Sequence, residues 1–291
     1  MTVDVVVPTV GRDSLARLLD ALGSGAGPLP GRVLVVDDRR DRDRPLPGPR
    51  RPGRLEGRVE VLPGRAVGPA AARNLGWWRA RGDWVAFLDD DVVPGATWLA
   101  DLAADLEGLG AEVAGSQGRV RVPMPAGRRP TDWERNVRGL ETARWATADM
   151  AYRRDVLERV GGFDERFPRA YREDADLGLR VVGAGYRIVA GEREVAHPVR
   201  ATGRFVSVRL QAGNADDAVM LALHGRGWRG RAGVPAGRRP RHLVVTGLGL
   251  VALGVLGLAR RGGSRRARWV AAGAGVGWLA GTVELALARI L

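Results

Sequence analysis

WVAFLDDDVVP, residues 84–94, is the stretch on which the reading of the fold turns. Residues 84–88 form an apolar run without a polar break, which suits a strand buried on both faces. The run stops at three consecutive aspartates. In open α/β sheets ligands bind beyond the carboxyl ends of the strands, so acids there face a crevice. Asp89 and Asp91 point the same way on an extended backbone. Three adjacent carboxylates repel one another unless a cation lies between them. A hard divalent ion with oxygen ligands, Mn2+ or Mg2+, is the natural occupant, and such an ion commonly bridges to substrate phosphates. A solvated acidic turn capping the next helix explains the same residues equally well.

Upstream, short β-branched runs at residues 3–7, 33–36 and 59–62 alternate with helix-period stretches. One such stretch carries Leu15, Leu18, Leu19 and Leu22, and another is alanine-rich over 69–81. A further helix after the aspartates has Leu99, Leu102 and Leu106 on one face. Alternation of this kind predicts an α/β domain with a mostly parallel sheet covered by helices. Residues 39–58 and 123–132, crowded with Arg, Pro and Gly, read as loops. Residues 147–195 read as strand, helix, loop, helix and strand, followed by a polar helical stretch near 205–224. The expected domains are a soluble body over 1–225, a basic linker over 226–242 and two apolar helices over 243–291.

The chain of 291 residues is 45% hydrophobic and contains no cysteine, which excludes disulfides, thiolate metal sites and a thiol nucleophile. Its net charge of +13 invites a nucleic-acid reading until it is divided along the chain. Residues 201–291 carry 14 arginines against Asp216, Asp217 and Glu284, whereas residues 1–200 are nearly neutral. The excess lies beside the most apolar segments, where a membrane surface would use it. All 46 basic residues are arginine, for which coding bias is a sufficient reason. No secretory signal pattern opens the sequence, so the body is expected in the cytoplasm. The uncharged run 243–259 is about 25 Å long as a helix, slightly short of a bilayer core of ~30 Å. Two spanning helices are expected, with Arg260, Arg261, Arg265, Arg266 and Arg268 in the outer loop. Interfacial helices, or a pair docked on the soluble body, are the alternatives.

Three further motifs carry chemistry. Glu173 and Asp174 open a helix, with Asp176 following; helix-end electrostatics explains one of these acids but not all three. A carboxylate in a cleft could serve as a general base. In GPAAARNLG, residues 68–76, small side chains allow close packing on the sheet, and Arg73 is the strong phosphate or carboxylate partner. The loops PTVGR (8–12) and VVDDR (35–39) both follow predicted strands.

Taken in order, VVVPTVGR, VVDD, GPAAARNLG, FLDDDV, ADMAYRRDVLERVGGFDERF and YREDADLGLRVVGAGYRI resemble the family 2 glycosyltransferases across residues 1–200. The resemblance implies a GT-A-like three-layer sandwich with a mixed, mostly parallel sheet. It implies an inverting enzyme that moves one sugar from a nucleotide-diphosphate sugar to a sugar, lipid-linked or other hydroxyl acceptor. Carried onto this sequence, Pro8, Thr9, Arg12 and Asp38 would serve the nucleotide, with Asp38 facing the base. Arg73, Asp89 and Asp90 would serve the nucleotide sugar, and Asp89 and Asp91, with His197 as a further ligand, would hold Mn2+ or Mg2+. Glu173 and Asp174 form the catalytic pair, with Asp174 as base.

Two departures stand out. Asp149 occupies a position where the family often has Asn, and the QXXRW element of processive synthases is absent. A sugar-nucleotide pyrophosphorylase would want a glycine-rich GXGTRL start and a lysine, neither of which is present. The non-enzymatic alternative is an arginine-rich protein binding nucleic acid or anionic lipid. With residues 1–200 nearly neutral, no nucleic-acid partner is expected, and membrane lipid is. The expected location is the cytoplasmic face of the cell membrane.

Overall fold

The computed structural model describes residues 1–49, 53–203, 205–235, 237–260 and 264–290. Arg261 and residues 50–52 of the arginine-rich loop lie outside the described residues. The first half of the chain comprises β1 (Val3–Thr9), α1 (Ser14–Ser24), β2 (Val33–Asp37), β3 (Val59–Pro63), α2 (Pro69–Arg79), β4 (Trp84–Leu88), the short β5 (Val93–Pro94) and α3 (Trp98–Leu106). Next come β6 (Val113–Arg121), α4 (Asp132–Arg138), β7 (Asp149–Arg153), α5 (Arg154–Val160), α6 (Glu173–Gly183) and β8 (Arg187–Ala196). Three short helices, α7 (Val206–Arg209), α8 (Asp216–His224) and α9 (Trp228–Arg231), lead to α10 (Arg239–Arg260) and α11 (Arg265–Ile290).

The strands form one sheet in the order β3-β2-β1-β4-β7-β6-β8-β5. The first four are mutually parallel, and β7 runs antiparallel between β4 and β6. Side chains alternate across this sheet and build two cores. Val5, Val7, Val33, Val35, Ala86 and Leu88 pack with Leu15, Leu18, Leu99 and Leu102 on one face. Val6, Leu34, Val36, Val85 and Phe87 pack with Ala70, Ala72, Leu157 and Leu177 on the other. Each fully buried Val, Leu or Phe stabilises the fold by roughly 1.5–3 kcal/mol, and burial on both faces explains the unbroken apolar runs. The result is the three-layer α/β sandwich expected from the sequence.

Helix α2 lies close on β1 and β2 because Gly76 has no side chain: a Cβ there would collide with Val6. Gly76→Val is therefore expected to lower stability by about 1–3 kcal/mol, read as a reduced denaturation midpoint. An unchanged midpoint would mean that α2 can move off the sheet.

The packed body continues past residue 225. Trp228 and Ala232 are buried with Trp145, Phe167, Leu179 and Met220 in a third cluster, so the stretch expected to begin a linker starts as core. Polar contacts fasten it: Asp217 pairs with Arg229 and, at 2.8 Å, with Arg172, and the His224 ring is hydrogen-bonded to Asp176 at 2.7 Å. Beyond it, α10 and α11 form a hairpin, with Trp278 against Gly249 and Leu248 against Gly277. Arg241 pairs with Glu284 at 2.6 Å where both helices return to the body. Only 6% of each apolar window is buried, and Leu243, Leu250, Leu253 and Leu258 are exposed. A pair docked on a soluble body would bury one face, so these helices are candidate membrane spans. At 22 residues α10 is about 33 Å long, because the helix runs on past the uncharged stretch at both ends.

Candidate active site

The register of β1 on β4 matches Val6 with Phe87, which brings Thr9 level with Asp90 one turn beyond the strand. The Thr9 hydroxyl donates to Asp90 at 2.5 Å and accepts from the Gly11 amide at 2.9 Å. Arg12 pairs with the same aspartate at 2.5 Å. Asp90 is thus buried and fully occupied, and it ties the first loop to the aspartate triplet. It braces Thr9 and Arg12, and all three aspartates line the cleft.

Asp91 accepts three cations: His197 at 3.3 Å, Arg200 at 3.3 Å and Arg12 at 3.4 Å. Burial opposes ionisation of Asp91, but His197 and the two arginines outweigh it and hold the carboxyl below its ordinary range. Burial likewise opposes charging of His197, and Asp91 and Asp89 reverse that, raising the imidazole above its usual value. Donor atoms of Asp89, Asp91 and His197 lie within 4.8 Å of one another, and His197 Nδ1 is buried with no hydrogen-bond partner. Two carboxylates and an imidazole form a donor set suited to a divalent ion such as Mn2+. These are the three residues the sequence nominates for a metal.

Arg73 joins this group to the second acidic motif. Its guanidinium, 2% exposed, donates to Asp89 at 2.7 Å and to Glu173 at 2.8 Å, and packs over the Phe163 ring. The two acids together outweigh the desolvation of Arg73 and keep it cationic. Glu173, also 2% exposed, lies behind Arg73 and away from the cleft. Its second oxygen is buried without a partner. Burial first, and then the adjacent Asp174, push Glu173 up to about 7 against the pull of Arg73. Asp174 accepts from the Ala175 amide at 2.7 Å and lines the cleft. Burial raises it as well. Of the catalytic pair expected from the sequence, therefore, Asp174 can reach a ligand and Glu173 positions Arg73.

A cleft of about 2420 Å³ runs along the carboxyl ends of the strands. Pro8, Thr9, Arg12, Asp38, Arg73, Asp89, Asp90, Asp91, Asp174 and His197 all line it. Asp38 is braced, accepting from the amides of Ala66 at 2.6 Å and Gly68 at 2.9 Å, so it fixes the loop entering α2.

Sequence reasoning missed two arginines. Arg200 pairs with Asp91 from the loop after β8, and the only signal was its place three residues beyond His197. Arg193, 0% exposed, pairs with fully buried Asp149 at 2.7 Å and with Asp105 at 2.9 Å. The Trp98 indole also donates to Asp149 at 2.7 Å. Asp149, the departure from the family pattern, thus has a dedicated counter-charge in the sheet and makes no contact with the cleft.

Residues 4–176 match the protein-family model described as Glycosyl transferase family 2. Glycosyltransferase AglE of Haloferax volcanii is 24% identical over 231 residues, covering 75% of this chain and 74% of that protein. A pre-mycofactocin glycosyltransferase of Mycobacterium tuberculosis is 33% identical over 145 residues, covering 45% of this chain but only 30% of the relative. Among solved structures, the mannosyltransferase PcManGT from Pyrobaculum calidifontis, in complex with GDP-Man and Mn2+, aligns over 94% of this chain and 79% of its own. Its TM-score is 0.56 at 19% identity, a likeness of fold.

Proposed function

We propose that this chain, which belongs to glycosyl transferase family 2, is a membrane-associated, metal-dependent transferase that moves one sugar from a nucleotide-diphosphate sugar to an acceptor hydroxyl with inversion. The observation that carries the reading is the junction made by Arg73: it pairs with Asp89 and with Glu173, the neighbour of Asp174, and the Asp89, Asp91 and His197 group and Asp174 line one cleft. Inversion needs a base on the face opposite the leaving group and stabilisation of that group. Asp174 supplies the first. Arg12 and Arg200, already drawn to Asp91, offer positive charge to a departing diphosphate.

A divalent ion held by Asp89, Asp91 and His197 would neutralise charge on the diphosphate as a Lewis acid. The Asp174 carboxylate takes the acceptor hydroxyl proton as that oxygen bonds to the anomeric carbon. The bond from that carbon to the diphosphate breaks, and the nucleotide diphosphate leaves with the electron pair. Buried Arg73 keeps Asp89 oriented throughout. The exposed apolar hairpin and the arginines that precede it at residues 226–241 support attachment at a cytoplasmic membrane face.

The test is to incubate the purified full chain with Mn2+ and a panel of nucleotide sugars and to measure release of nucleotide diphosphate; release from none of them, with any acceptor extract, counts against the reading. Asp91→Ala is expected to weaken Mn2+-dependent nucleotide binding beyond the roughly 10- to 100-fold typical of losing an outer-shell partner. Unchanged calorimetric affinity would remove Asp91 from the metal site.

A further inference from the structure

Arg172, the residue before Glu173 and Asp174, has a left-handed backbone, with φ 79° and ψ −16°. A residue with a Cβ is disfavoured there, and such a conformation persists only where its surroundings fix it. The Arg172 carbonyl accepts from the Asp176 amide at 2.9 Å, so this residue turns the chain into the first turn of α6. The turn leaves Glu173 behind Arg73 and Asp174 on the cleft wall.

What fixes Arg172 comes from far along the chain. Its guanidinium donates to Asp217 at 2.8 Å and to the Tyr171 hydroxyl at 2.7 Å. The central guanidinium carbon lies 4.1 Å from the centre of the Tyr171 ring and 5.3 Å from that of Trp228. Asp217 also pairs with Arg229, which stacks on buried Trp228 at 4.7 Å. A planar cation held by aromatic faces and a carboxylate keeps little freedom to turn. The distant half of this clamp belongs to α8 and α9, beyond the stretch 4–176 that matches the family model. A tight turn at position 172 would by itself be met by glycine. An arginine gripped from α8 and α9 instead ties that turn to the wall that Tyr171, Asp217 and Trp228 share with Asp174.

We propose that Arg172 is a positioning residue for the transfer: clamped by Asp217 and Trp228, it sets the direction in which the Asp174 carboxylate leaves the start of α6. This rests on the transferase reading above, with Asp174 as base, and makes residues 217–229 part of the active site. Loosening the clamp frees the carboxylate to turn away, and a small displacement of a reacting group costs rate rather than affinity. The Ala175 amide donates to Asp174 at 2.7 Å, so its hydrogen exchange reports the placement without any turnover.

The test compares the natural full chain, in nonionic detergent, with R172G, R172K and D217N. Turnover is read on a panel of UDP-, GDP- and dTDP-sugars with Mn2+. Affinity for UDP and GDP, thermal midpoint and exchange at the Ala175 and Asp176 amides are measured on the same samples. R172G is expected to lower kcat by roughly 10- to 100-fold at unchanged donor KM, and to speed exchange at both amides. Its midpoint and nucleotide affinity should be kept, since glycine takes a positive φ freely and Asp217 retains Arg229. D217N should show the same split more weakly, and R172K, which keeps the charge, should recover most of kcat. Natural exchange rates at Ala175 and Asp176 in both R172G and D217N would overturn the proposal. So would a kcat that falls in step with midpoint and nucleotide affinity and does not recover in R172K. Release of nucleotide diphosphate from no sugar by the natural chain would count instead against the transferase reading, and the exchange rates would still decide whether Arg172 sets Asp174.

Discussion

Asp174→Asn is expected to bind the nucleotide sugar as the natural chain does and to turn over about 10²- to 10⁴-fold more slowly, the span that a positioned general base contributes. Asparagine has the same shape and still accepts from the Ala175 amide, which Asp174 meets at 2.7 Å, so the start of α6 should hold. Only the capacity to take a proton is lost. The acid limb of kcat/KM should lie above the ordinary carboxylate range near ~3.9, because burial raises Asp174. A proton on the base stops the reaction, so activity falls as pH drops through that raised value. Glu173 shifts stability the other way. Its carboxyl is pushed up to about 7 in the fold by burial and by Asp174, against ~4.3 unfolded. Its contribution to stability is therefore full below the unfolded value and is lost as pH rises toward 7. Turnover rates across pH check the first statement and denaturant midpoints across pH the second. Near-normal turnover in Asp174→Asn, or an acid limb at the ordinary carboxylate position, would remove Asp174 as the base.

The second large effect is on folding. Arg193→Met is expected to cost about 3–5 kcal/mol, because it strands the fully buried Asp149 without its counter-charge. Burial already favours the neutral form of Asp149, and Arg193 is the main opposing influence. Combining Arg193→Met with Asp149→Asn should restore most of the loss, since the Trp98 indole can donate to the amide oxygen as it does to the carboxylate at 2.7 Å. Asp105 loses its 2.9 Å pair with Arg193 in both variants, so recovery should be incomplete. Denaturant midpoints of the natural chain and the single and double variants supply the cycle. If both variants lose equally, the cost lies in the packing of Arg193 rather than in its charge.

Much of this was legible along the chain. The period-2 splitting of Val5, Val6 and Val7 between two cores follows from strand geometry alone. The pile-up of Asp89, Asp90 and Asp91 after an apolar strand announced a crevice. The small residues before Gly76 announced a close helix. The antiparallel run of β7 was not legible, because hydrophobic periodicity carries no strand direction. Nor was the packing of Trp228 into a third core, since one tryptophan among arginines gives no periodic signal.

The residue types and their order determined by themselves that the chain folds as an α/β sandwich, carries acids at strand ends and closes on two apolar helices. Those properties are local, set by side-chain hydrophobicity, spacing and charge within a few residues. Tertiary structure alone decided which of the acids face the cleft. Glu173 sits behind Arg73 and off the cavity wall, while Asp89, Asp90, Asp91 and Asp174 line it, Asp90 tied there to Thr9 and Arg12. Partners 81 and 100 positions apart in the chain make that selection. Whether a carboxylate reaches the wall is set by packing against residues far away in the chain, and no local pattern records it.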